Sequence, residues 1–130
     1  MLSRLFANTV YVQVRKNAFR LRHIESRKER DVAAPTPFTT ARLLVGQFRE
    51  AASLLRKAVG ELAGGSLFAA SPVVVIHPTE MVEGGLSEVE ERVLRELALG
   101  AGARSVVVHV GPALADAEVT AMIRSGSRPG

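Results

Sequence analysis

A chain of 130 residues with 47% apolar and 23% charged side chains falls in the usual range of one soluble globular domain, which argues against wholesale disorder and against two separate cores. It contains no cysteine, so disulfides, thiol nucleophiles and cysteine-ligated metal centres are excluded, and a reducing compartment fits. The net charge of +4 is unevenly placed: residues 1–30 hold eight basic side chains against two acidic, whereas the remaining hundred hold nine against eleven.

Met1 to Phe6 is too short for a secretory signal and lacks its apolar stretch. Leu2, Leu5 and Phe6 flank Arg4, which is the make-up of a short amphipathic contact segment suited to a membrane surface or a docking contact. Thr9 to Val14 then alternates, with Val10, Val12 and Val14 on one face and Tyr11 and Gln13 on the other, as a half-buried strand does. Arg15-Lys16-Asn17 reads as a turn. Phe19 and Leu21 alternate with Arg20 and Arg22, so a second strand returns antiparallel to about Ile24 or Glu25 and completes a β-hairpin. Its outer face gathers Arg15, Lys16, Arg20 and Arg22. Such a face suits nucleic acid, anionic lipid or an acidic protein, or simply guards a sheet edge against aggregation. Residues 26–37 are read as a loop, because the first part is almost wholly charged and Pro35 and Pro37 disfavour helix and central strand.

Leu44, Phe48, Ala51, Leu55, Ala58 and Leu62 recur at steps of three and four, which predicts an amphipathic helix over at least Arg49–Ala63. Gly64-Gly65 is expected to end it in a left-handed conformation. Pro72 to Ile76 is a continuous β-branched run, the signature of a strand buried on both faces and therefore parallel, which His77-Pro78 stops. Ser87 caps a second helix, with Glu88, Glu90 and Glu91 in its first turn and Val89, Val93, Leu94, Leu97 and Ala98 as its buried face. Ser105 to Val110 follows as another buried strand, so strand, helix and strand form a βαβ unit with a right-handed crossover. A last helix is expected within Pro112–Ile123, before a tail at 125–130. No run approaches the roughly 18 apolar residues of a membrane span.

Few residues carry a chemical motif. His77 and His109 end the two parallel strands, the edge where α/β proteins place ligands, but no acidic pair supports them as metal ligands. No phosphate-loop pattern and no Gly-x-Ser-x-Gly elbow occurs, so Ser87 is a cap and not a nucleophile.

The block Ser87 to Val106, and within it Leu99-Gly100-Ala101-Gly102-Ala103-Arg104, is similar to the second helix and following strand of the bacterial actin-like, rod-shape-determining (MreB) family. Met1 to Phe6, Gly46-Gln47-Phe48 and Pro112-Ala113 agree with the same register. The resemblance implies a single α/β domain over residues 1–124: an actin-like ATPase subdomain of ribonuclease-H-like topology, a β-hairpin followed by α-β-α-β-α with parallel strands and helices packed on the sheet.

The departures from that family's pattern bear on function. Where it carries an acidic residue and a glycine-containing phosphate loop, this chain has Gln13, Arg15, Lys16 and Asn17; where it carries glutamates before a proline, this chain has Val110-Gly111. Gln47 stands at a third acidic position. The nucleotide loop is therefore read as degenerate, with no catalytic, cofactor-binding or metal-ligating residue and no cofactor. The second half of an actin-like cleft is likewise missing from these 130 residues. The expected role is a non-catalytic, cytoplasmic domain that contacts a protein, either an actin-like filament or another copy, in bacterial cell shape, with peripheral contact at the inner membrane through Leu2, Leu5 and Phe6. The alternatives are a basic-hairpin module for nucleic acid or anionic membrane, centred on Arg15, Lys16, Arg20 and Arg22, and an ATP-binding protein completed by oligomerisation.

Overall fold

A computed structural model describes residues 7–64 and 70–126. Along the chain run β1 (Thr9–Arg15), β2 (Ala18–His23), β3 (Glu29–Ala33), α1 (Phe48–Ala63), β4 (Val73–Pro78), α2 (Glu88–Gly100), β5 (Ser105–Val108) and α3 (Asp116–Gly126). The sheet order is β3-β2-β1-β4-β5, with β1, β2 and β3 an antiparallel meander and β4 parallel to both β1 and β5. This is an α/β fold with a mixed sheet, as the succession of hairpin and βαβ unit implied.

Two hydrophobic clusters of unequal size flank the sheet, one on each face, and not the one core that length and composition suggest. Val10, Val12 and Val14 of β1, Phe19 and Leu21 of β2, and Val74 and Ile76 of β4 face Ala51, Leu55, Ala58 and Val59 of α1 and Leu94, Leu97 and Ala98 of α2. Full burial of each larger side chain here is worth about 1.5–3 kcal/mol. On the other face Tyr11, Val75 and Val107 meet Val119, Met122 and Ile123 of α3. β1 is thus buried on both faces, not half-buried, because its alternation separates two cores rather than core from solvent.

Residues 26–37 are not all loop. β3 forms at Glu29–Ala33 because its register sets Val32 against Phe19 on the core side and Asp31 against Arg20 on the other. Opposite charges across an antiparallel pair replace the missing β propensity. β4 continues through His77 and Pro78 instead of stopping before them, since Gln13 and Val14 of β1 still lie alongside. Ser125 and Gly126 belong to α3, and the rest of the expected tail lies outside the described residues. Gly64 caps α1 at φ −107, so it is not left-handed; Gly65 lies outside the described residues. At α2 the predicted cap is a full capping box, in which Ser87 Oγ accepts from the Glu90 N–H and the Glu90 carboxylate accepts from the Ser87 N–H. Val89, expected in the core, is 71% exposed.

Candidate functional site

The parallel strands β1, β4 and β5 point their C-terminal ends to one edge, where a cleft of about 390 Å³ opens. Gln13, Arg15 and Arg20 line it from the hairpin, His77, Pro78 and Thr79 from the end of β4, and Gly111 and Ala113 from the segment after β5. Among the described residues Arg15 and Arg20 are its only charged members, and no carboxylate lines it. Both guanidiniums are partly neutralised by β3: Arg20 pairs with Glu29 at 2.7 Å and Asp31 at 3.2 Å, and Arg15 lies 3.6 Å from Asp31.

His77 is 2% exposed and forms the floor. Its Nε2 lies 2.8 Å from the Gly111 carbonyl, which can only accept, so Nε2 carries the proton. Nδ1 must then accept, and the Tyr11 hydroxyl at 2.7 Å donates to it. The Leu114 N–H in turn donates to the Tyr11 oxygen at 3.1 Å. One direction of donation therefore runs from the segment after β5, through β1, to β4 and back to Gly111, and it leaves His77 no free lone pair to accept a substrate proton. Burial holds the His77 imidazole below the usual histidine range; the Gly111 carbonyl pulls the other way, and neighbouring His109 adds to the lowering. The two rings meet edge-on with centroids 4.6 Å apart. His109 turns its own Nε2 to the Pro112 carbonyl at 2.8 Å. Among the described residues no group of three His, Asp or Glu side chains is arranged to hold a metal ion.

The structure brings together only part of the predicted loop. Gln13, Arg15 and Gly111 share the cleft, while Lys16, Asn17 and Val110 do not line it. Asn17 takes φ +55 at the hairpin turn and works as a local tie: its Oδ1 accepts from the Phe38 and Thr39 N–H groups, and its own N–H donates to Thr39 Oγ1. The Lys16 N–H donates to Glu80. Val110 is exposed. Arg22, read as part of a basic outer face, is half-buried under α3; it bonds Asp116 and the Leu114 carbonyl and sits 5.1 Å above the Tyr11 ring. Gln47 stands at the start of α1 without a side-chain cap bond. Leu2, Leu5 and Phe6 lie outside the described residues.

No family model matches the chain. It is 35% identical over 126 residues to the Escherichia coli (strain K12) "Uncharacterized protein YjaA", an alignment that covers 90% of this chain and 98% of that protein. The chain belongs to the YjaA family. In this YjaA-family chain the residues that order the strand-end edge are Tyr11, His77, Arg22 and Asp116; the sequence marks His77 only as a strand-end histidine and Arg22 only as part of a basic face, and it marks neither Tyr11 nor Asp116 as a site residue. Tyr11 is the single tyrosine of the chain and stands out of phase with the valines of β1, and that was the one available signal. The pairing of Arg22 with Asp116 joins positions 94 residues apart and had none.

A second feature lies beyond the cleft. Leu43, Val45, Met81, Val82, Leu86, Val89 and Val93 line an apolar groove of about 50 Å³ near the end of β4, with Glu80 and Glu90 its only charged members among the described residues. Among the described residues no helix is long and apolar enough to cross a membrane.

Proposed function

We propose that this YjaA-family protein is a non-catalytic, actin-like domain that acts by contact with another protein in processes tied to bacterial cell shape. The observation that carries the reading is the occupancy of the strand-end edge. Where an actin-like hydrolase needs carboxylates and bare backbone to orient water and phosphate, this cleft presents Gln13, Arg15 and a neutral His77 whose two nitrogens are both engaged. The order and directions of the five strands, together with the Ser87 to Val106 block, support the actin-like part of the reading. The exposed apolar side chains Leu43 and Val89 support the contact part.

Two measurements test it. Calorimetric titration with Mg-ATP is expected to be flat, and saturable heat would refute the non-catalytic reading. Affinity capture from the native cells is expected to recover a full-length actin-like protein; recovery of nucleic acid or lipid in its place would move the assignment to the hairpin arginines.

A further inference from the structure

We infer that the apolar groove beside α2 is a socket for the Leu2-to-Phe6 segment of a second copy of this chain, so that copies join head to tail. The inference deepens the protein-contact reading and rests on it.

The groove has the character of an unfilled interior. Leu86, Val89 and Val93 continue the apolar stripe that Leu94 and Leu97 bury, yet nothing among the described residues covers Val89, which is 71% exposed, or Leu43 on the facing wall, at 42%. A stripe of this kind takes an apolar ridge from an amphipathic helix. The chain contains a matching ridge. Leu2, Leu5 and Phe6 are spaced by three and four, and Arg4 supplies a positive charge against Glu80 and Glu90. The volume of about 50 Å³ accepts one apolar anchor, with the others on the rim.

Geometry excludes the same copy as donor. Asn8 is pinned at the base of the sheet: its Nδ2 donates to the Ala63 and Ala70 carbonyls, and its own carbonyl takes the Val73 N–H. The groove lies past Pro78, at the other end of strands that run parallel from that base. β1 rises about 20 Å over its seven residues. Six fully extended residues span only about 21 Å. The segment would be used up in reaching the level of the groove, with the thickness of α1 and α2 still to round. A neighbouring copy meets no such limit. Because tail and socket sit at opposite ends, the contact is heterologous and each junction leaves one free tail and one free socket.

Sedimentation velocity of the full chain over a concentration series tests this. Mass is expected to grow with concentration, and the association constant to fall about tenfold or more in Val89→Lys and in the double variant Leu5→Ser/Phe6→Ser. Val89 is exposed, so its variant keeps the fold, which circular dichroism verifies; Leu43→Lys is a second socket variant. Mixing the Val89→Lys chain with the double variant is the decisive arm. One supplies a sound tail and the other a sound socket, so association returns but stops at a one-to-one pair. A chain monomeric at millimolar concentration, or a mixture that stays monomeric, overturns the inference. So does tail-dependent binding to anionic vesicles that Val89→Lys leaves unchanged, which would make the segment a membrane contact. If Val89→Lys still captures an actin-like protein while the chain is monomeric, the socket fails and the protein-contact reading stands; loss of both sinks both.

Discussion

His77 shows how one buried side chain can hold three segments of chain. It accepts from Tyr11 on β1, which requires the neutral ring, and donates to Gly111 after β5, which either form of the ring can do. Protonation would turn two N–H groups outward and set one against the Tyr11 hydroxyl, which already accepts from Leu114. The unfolded chain takes up this proton near the ordinary histidine value of about 6.5, the folded chain only at lower pH. Stability from this group is therefore whole above about pH 6.5 and is lost as pH falls from there toward the depressed folded value, at up to about 1.4 kcal/mol per pH unit. Urea denaturation at pH 8, 6.5 and 5 measures it. The difference between wild type and His77→Gln should shrink as pH falls through that window, because the variant has no imidazole to charge; a constant difference would show that His77 does not titrate on folding. A run of valines closed by His-Pro marked the end of a buried strand, but it carried no sign that the histidine has a tyrosine opposite.

At the level of elements, local chemistry set the ends of α2 and distant chemistry set the place of α3. The Ser87–Glu90 box closes within four residues and was legible as sequence. Ser87→Ala is expected to cost about 1 kcal/mol in chemical denaturation, with no change of structure. α3 depends on groups far off in the chain: Arg22 reaches Asp116 and Leu114, while among its described side chains Val119 alone is fully buried. Arg22→Ala is therefore expected to speed amide exchange throughout α3 while β1 and β4 keep their protection, since they do not rely on that helix for their ladders. Equal acceleration in all three would mean that α3 is integral to the main core. β3 teaches the same lesson in reverse. Read alone, Glu-Arg-Asp-Val-Ala is a poor strand, and it pairs because Arg20 of β2 bonds Glu29 and Asp31 while Val32 lies opposite Phe19.

For the whole molecule the asymmetry of the two cores decides what is rigid. Leu55 is completely buried between α1 and the larger sheet face, and Leu55→Ala should cost about 2–5 kcal/mol, read from the shift of the unfolding midpoint. A marginally stable domain of this size would lose much of its folded population by that change. The smaller core under α3 leaves the cleft side of the sheet open, and the socket beside α2 leaves an apolar wall open at the same end. Composition, strand periodicity, the capping box and the βαβ spacing were determined by the sequence itself, because each is a matter of neighbours within a few residues. Which face of α2 stays uncovered, which arginines are neutralised and what lies opposite His77 were decided only by the tertiary structure. These depend on register between strands and on contacts across 50 to 100 residues, and no local pattern encodes such distances.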